Sequence, residues 1–360
     1  MGKAGRIQVG IVGANARGSW GARAHVPALK ASPDYVLTAV CNSTPERAQE
    51  AAQAHGAEHA FADVRAMAEH PDVDLVVVCL RVASHYDPVM AAIEAGKHVY
   101  CEWPLAMDVV QAETMAEAAR RAGVVHMVGL QTRASPVIAH VKNLVAEGYI
   151  GDLMAASLLH SAPWQPTPTR ATAYMQDRDS GSTFLSIPTG HSLDTLCYAL
   201  GEFSALTATT ATLVKEVPLK DADGTVTRTC ADQILVQGTL TNGAMAMIHM
   251  QGSGVGTGFR FEINGTKRAL VITAAEPGPF QLAPLRLCET SQTYGALTEV
   301  AIPEALVVAA PGTPSGASFN LGQMYANLAR AIREGREAEP NFDDAVRRHR
   351  TLEAIERGAA

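Results

Sequence analysis

Arg6-Ile7-Gln8-Val9-Gly10-Ile11-Val12-Gly13-Ala14-Asn15-Ala16-Arg17-Gly18 runs on into Ser19-Trp20-Gly21-Ala22-Arg23-Ala24-His25-Val26-Pro27-Ala28-Leu29. An apolar, β-prone run from Ile7 to Val12 breaks into a glycine-containing turn and then a helix-like stretch, the order that a dinucleotide-binding βα unit requires. Gly13 permits the tight turn, and Gly18 is expected to let helix and strand pack closely. The free N–H groups at the helix N-terminus suit a pyrophosphate, which makes Gly13, Asn15, Ala16 and Gly18 the candidate phosphate contacts. The middle glycine of the usual pattern is Asn15 here, so its side chain must be accommodated or must itself bond phosphate or ribose. The competing reading is a glycine turn in an unrelated α/β protein.

Outward from this unit, Tyr35-Val36-Leu37-Thr38-Ala39-Val40-Cys41 reads as a second buried strand of the parallel kind. An NAD-selective fold carries an Asp or Glu at its end; this chain has Asn42, Ser43, Thr44 and then Arg47. Without an acid to repel a 2′-phosphate, the cofactor expectation is NAD or NADP, with NADP ahead. The same residues also read as a helix N-cap followed by Pro45 in the first turn.

Helices at Pro45–His55, through Glu69, Tyr86–Ala95 and Val109–Ala122 alternate with strands at Ala60–Asp63, Asp74–Leu80, His98–Glu102 and Val124–Gly129. This alternation specifies a doubly wound parallel sheet, a Rossmann domain over residues 1–130. The pattern then changes. A helix at Pro136–Glu147 precedes longer strands at Asp152–Leu159, Ser204–Thr212, Ala231–Thr241, Ala244–Gln251, Phe259–Asn264 and Arg268–Thr273. Asp223-Gly224, Asn242-Gly243 and Asn264-Gly265 supply hairpin turns. Residues 131–360 are therefore expected to form an α+β domain on a large open mixed or antiparallel sheet. Pro277 to Pro314 is expected to be its least regular part, and the helices near 322–336 and 343–357 to return toward the Rossmann domain.

The 360 residues are 47% apolar and 18% charged, with a net charge of -7, which describes a globular chain without a basic nucleic-acid surface. The cysteines at 41, 79, 101, 197, 230 and 288 form no CxxC pair and read as free thiols in a reducing compartment. Met1 to Arg6 shows no signal-peptide apolar region, and no run approaches the roughly 20 residues of a membrane span. A soluble, cytoplasmic protein is expected, and the glycosylation patterns at Asn42 and Asn264 then carry no meaning. There is no HExxH, P-loop lysine, GxSxG elbow or Cys/His zinc spacing, so metal hydrolysis, phosphoryl transfer and serine hydrolysis have no anchor and no metal is expected.

Several stretches together resemble the glucose-fructose oxidoreductase, inositol dehydrogenase and rhizopine-catabolism (Gfo/Idh/MocA) family. They are the opening turn, His85 before a helix, Gly96-Lys97-His98-Val99-Tyr100-Cys101-Glu102, Gly148-Tyr149-Ile150-Gly151-Asp152, Gly265-Thr266-Lys267 and Asp343-Asp344-Ala345. Asn15 with Trp20, His25 and Pro27, Val82-Ala83-Ser84-His85-Tyr86, Glu102-Trp103-Pro104-Leu105, Leu130-Gln131-Thr132-Arg133 and Gly190-His191-Ser192-Leu193-Asp194 are most similar to the branch of the fungal galactose-pathway repressor. That repressor binds a dinucleotide but acts as a sensor.

The resemblance implies a Rossmann domain with a substrate-bearing sheet domain, and cofactor contacts at Trp20, Leu80, Arg81, His85, Glu102, Trp103, Pro104 and Gln131. It also places Trp103 where family enzymes carry a Glu-Lys-Pro lysine, and Ile187 or Ser186 where they carry an aspartate. His191 is left as the acid/base, with Asp194 on the same helical face to orient it. Trp103, Arg133, Tyr174 and His191 are the substrate candidates, with His160 and Trp164 further pocket candidates. The expected activity is hydride transfer between a nicotinamide and a secondary alcohol or ketone of a carbohydrate-like or polyol substrate, by a homodimer or homotetramer. A dinucleotide-dependent regulator and a redox-neutral lyase or glycosidase stay open as alternatives.

Overall fold

The computed structural model describes residues 5–276 and 278–358. Met1 to Ala4, part of the stretch read above for a signal peptide, and Pro277, read as opening an irregular segment, lie outside the described residues. The chain divides into two compact units. One contains the residues up to Gln131 together with Val308–His349; the other contains Thr132–Val307 and the residues from Arg350 onward.

In the first unit, strands β1 (Ile7–Val12), β2 (Tyr35–Cys41), β3 (His59–Phe61), β4 (Leu75–Val78), β5 (His98–Cys101) and β6 (His126–Val128) form one sheet in the order β3-β2-β1-β4-β5-β6. Every pair is parallel. β1 and β4 are buried along their whole length, which is why their sequences are continuous apolar runs rather than alternating ones. The helices are α1 (Val26–Ala31), α2 (Pro45–His55), α3 (Val64–Glu69), α4 (Tyr86–Glu94) and α5 (Val109–Ala122). Thr44, Asp63 and Asp108 cap α2, α3 and α5 by accepting first-turn amide N–H groups. Strand order reverses between β1 and β4, so the carboxyl ends of β1, β2 and β4 frame the crevice where such sheets bind ligands. Later in the chain, α8 (Ala317–Glu334) packs on α1.

In the second unit, α6 (Pro136–Ala146) packs on α7 (Gly190–Leu200). Strands β7 (Leu153–Ser161), β8 (Phe203–Ala211), β11 (Gln233–Leu240), β12 (Met245–Gln251), β13 (Gly258–Gly265), β14 (Ala269–Ala274), β15 (Leu285–Thr290) and β16 (Thr298–Glu299) form an eight-stranded sheet. Its order is β16-β15-β14-β13-β7-β12-β11-β8. Only β7 with β12 runs parallel, so the sheet is mixed. Burial alternates along β11 to β13, as it must when one face is covered and the other open. A separate hairpin, β9 (Glu216–Pro218) with β10 (Thr225–Thr227), turns at Asp223-Gly224. The last helix, α9 (Phe342–Glu356), closes the chain.

The segment after Phe280 is more regular than its Pro, Gly and Ala content suggested. β15 lies there and pairs with β14 along six residues, because Leu285 and Leu287 complete the apolar alternation of the neighbouring strand. No helix of the described residues is long and apolar enough to cross a membrane.

Candidate cofactor and substrate sites

The β1–α1 turn is built from backbone requirements. Gly13 holds φ at +90°, and a Cβ there would lie 2.4 Å from the Cys79 carbonyl oxygen. Gly18 also has positive φ (+102°), but no atom stands near its missing Cβ, so its role is conformational rather than close packing. The close approach expected of Gly18 falls to Gly21, whose Cβ would sit 3.1 Å from Ala14 Cα. Asn15 is accommodated in the turn: its Oδ1 accepts from the amides of Arg17 and Ser19, both at 3.0 Å, and its own amide donates to Ser19 Oγ. A short polar side chain replaces the missing glycine by tying the turn to itself. Ala16 lies half-buried within that loop.

At the end of β2, Asn42 Nδ2 donates to the Ala14 carbonyl (3.2 Å), and exposed Arg47 donates to Ser43 Oγ (3.1 Å). Asp63, just past β3, is close enough to help raise the Cys41 thiol to about 11, after burial as the larger cause. A cavity of about 560 Å³ opens at the carboxyl ends of β3 and β4, lined by Asp63, Arg65, Leu80, Ser84 and Asp87 among others. Sequence reading named only Leu80 of these. Asp63, read above as the last residue of a strand, caps α3 two residues past β3, which puts it at this end of the sheet.

His85 is buried with Nδ1 2.9 Å from the Pro104 carbonyl and Nε2 3.1 Å from the Leu80 carbonyl. Both ring nitrogens face backbone carbonyls, and the neutral ring's single N–H donates to one of them; burial lowers the His85 pKa against the opposing pull of those carbonyls. Arg81 beside it is exposed. Glu102 likewise has a protein partner: its Oε1 lies 2.9 Å from His25 Nε2, and His25 Nδ1 lies 2.7 Å from the Tyr325 hydroxyl. The bond from Trp103 to Pro104 is cis. Trp103 is 5% exposed and packs its ring against His349 at 4.9 Å, which makes it a core residue of this unit. Trp20 Nε1 and Gln131 Oε1 are buried without a hydrogen-bond partner. An orphaned donor next to the positive-φ glycine turn and an orphaned acceptor just past β6 fit a dinucleotide, whose phosphates take backbone N–H groups and whose carboxamide both donates and accepts.

In the second unit, a turn of π-helix over Leu185–Thr189 runs straight into α7 at Gly190, and buried His191 is the helix's second residue. Asp194 does share this helix, yet its carboxylate is held by Arg133, with Nε at 2.9 Å and a terminal nitrogen at 2.7 Å. The expectation had given Arg133 to the substrate and Asp194 to His191. A guanidinium fork matches a carboxylate bidentately, and two buried charges stabilise each other best together. Arg133 also lies 5.0 Å over the Tyr198 ring. Tyr174 is half-buried on the turn Ala173–Gln176.

A cavity of about 880 Å³ opens on this unit, lined by His160, Trp164, Phe184, Pro188, Arg260 and Gln281 among others. His160 is 4% exposed, its Nδ1 lacks a partner, and burial followed by neighbouring His191 lowers its pKa to about 4. Arg260 and Gln281 escaped sequence reading because they sit far apart in the chain with no local motif.

A parallel sheet with a glycine turn at its switch point, joined to an open-sheet unit with its own cavity, defines a dinucleotide-binding Rossmann protein of the two-unit kind. Residues 7–130 match the oxidoreductase family with an NAD-binding Rossmann fold, and residues 136–274 match the Gal80p C-terminal domain. The chain belongs to the Gfo/Idh/MocA oxidoreductase family, on its Gal80-like branch.

It is 39% identical to the dehydrogenase aclE of Aspergillus oryzae, over 61% of this chain and 62% of that one. It is 32% identical to the galactose/lactose metabolism regulatory protein GAL80 of Saccharomyces cerevisiae, over 66% of this chain and 58% of that one. The chain thus spans less than two thirds of these relatives. The structure of levoglucosan dehydrogenase in complex with NADH and levoglucosan superposes with a TM-score of 0.83, at 25% identity over 98% of this chain and 97% of that one.

Proposed function

We propose that the chain is a nicotinamide-dependent oxidoreductase acting on a secondary alcohol or ketone of a sugar-like or polyol substrate. The observation that carries this reading is buried His191 at the head of α7, beside a neutral His160 that lines a cavity large enough for a sugar. When bound, the nicotinamide supplies the hydride acceptor or donor. His191 takes the hydroxyl proton as the alcohol is oxidised and returns it in the reverse direction. His160, uncharged at neutral pH, offers a hydrogen bond without a competing charge. Trp164 gives an apolar face suited to the C–H side of a sugar ring. Arg133 and Asp194 act as positioning residues, tying the turn Gln131–Ala134 to the helix that carries His191.

The Ser43–Arg47 pair at the tip of β2 supports NADP ahead of NAD. Exposed Leu235, Met245 and Met247 on the open face of the second unit's sheet suit a second copy of the chain. The six free cysteines fit a reducing cytoplasm. A non-catalytic, dinucleotide-dependent regulator is the second reading, favoured by Trp103 at the family's lysine position and by the Gal80p-type second domain.

Fluorescence titration with NADH and NADPH, followed by a 340 nm screen against sugars, polyols and their keto forms with levoglucosan included, separates the two. Turnover is expected, with His191→Ala lowering kcat by about 10²–10⁴-fold and leaving cofactor affinity unchanged. Tight cofactor binding with no turnover across the panel overturns the enzyme reading in favour of the regulator.

A further inference from the structure

Away from the carboxyl ends of the strands, the edge of the first unit's sheet gathers three metal-ligating side chains. His59 is the first residue of edge strand β3, His70 follows the last residue of α3, and Asp72 lies in the loop leading to β4. One ligating atom from each lies within 4.8 Å of the other two. His59 Nε2 is 3.1 Å from Asp72 Oδ2, and the two imidazole rings approach to 4.3 Å. Phe61 packs against both rings, at 6.3 and 5.5 Å.

The loop presenting His70 and Asp72 is held firmly. Lys97 Nζ donates to the carbonyls of His70 (3.2 Å) and Val73 (2.7 Å), and Thr38 Oγ1 donates to the Asp72 carbonyl (2.6 Å). The Asp72 amide donates to His70 Nδ1 (3.2 Å). The three side chains are half-buried, leaving an approach from solvent.

We propose that His59, His70 and Asp72 form a zinc site that ties edge strand β3 to the α3–β4 loop. Two imidazoles and a carboxylate are a borderline donor set that suits Zn²⁺. Bonds of about 2.0–2.2 Å in a tetrahedron put neighbouring ligand atoms about 3.3–3.5 Å apart. The His59–Asp72 separation is already close to that edge, and the remaining pairs close by at most roughly 1.5 Å on binding. Three protein ligands leave the fourth position to water. The spacing of ten residues and then one is not a zinc motif; it becomes a cluster because parallel pairing starts β3 beside the loop that ends α3.

The test uses the full chain without a polyhistidine tag, loaded with ZnCl₂, dialysed against metal-free buffer and assayed by atomic emission. One equivalent per chain is expected in the wild type and less than about a fifth of that in His59→Gln and Asp72→Asn, with unchanged circular dichroism and cofactor affinity. Added Zn²⁺ should raise the wild-type Tm and leave that of the variants in place. As a second measurement, Co²⁺ should give visible d–d absorption in the wild type alone. Wild-type protein that retains no zinc, or variants that retain as much as the wild type, overturns the proposal.

Discussion

Asp194 is 1% exposed and Arg133 7%, and each is the other's bidentate partner. Removing the carboxylate's charge leaves a buried guanidinium without the opposite charge that faces it. Asp194→Asn is therefore expected to destabilise the protein by about 3–5 kcal/mol, against about 0–1 kcal/mol for losing an exposed pair such as Arg65 with Glu94. Urea unfolding of Asp194→Asn and of Glu94→Gln measures the contrast. Equal losses would show that Asp194 matters through something other than this pair. Sequence spacing had offered Asp194 to His191, because positions three apart on a helix share a face. The competing partner, 61 residues away, had no signal in the local pattern.

The β1–α1 element carries the strictest backbone demand. Any residue but glycine at position 13 meets both a left-handed φ and a carbonyl oxygen 2.4 Å from its Cβ. Gly13→Ala is expected to weaken NADH binding at least tenfold and to lower Tm, whereas Gly18→Ala meets only the conformational cost and should lose less on both counts. Titration of the two variants side by side checks the order, and a Gly18 variant as impaired as Gly13 would contradict it. At this scale the sequence was highly legible. β2, α2 and α5 fall where the apolar runs, Thr44, Asp108 and the glycines at 56 and 123 place them. β15 was not legible, because a short strand amid Pro and Gly gains its stability from β14 rather than from its own propensity.

Across the whole molecule, histidines whose pKa burial lowers shape the response to acid, His126, His160 and His349 most strongly among those with a value. His126 accepts the Phe342 amide at Nδ1, His349 accepts the Ala106 amide at Nε2, and burial lowers both to about 4, as it does His160. Their unfolded pKa is about 6.5, so the unfolded chain takes up protons first as pH falls. Stability is thus full above roughly pH 6.5 and lost progressively toward pH 4, by about 2 kcal/mol per histidine at pH 5. The urea midpoint should drop between pH 7.5 and 5, and His126→Asn should flatten that drop. A midpoint constant across this range would refute the assignment.

The sequence by itself determined the alternating parallel sheet, the glycine turn, a large second sheet of mixed or antiparallel kind and the family. All of these rest on local periodicity, turn chemistry and contiguous motifs. Only the tertiary structure decided that Arg133 belongs to Asp194, that Glu102 meets His25, that His85 lies between two backbone carbonyls and that His59, His70 and Asp72 converge. A buried charge or ring nitrogen takes whichever partner the packed chain brings within hydrogen-bond reach, and that choice is made across tens to hundreds of residues.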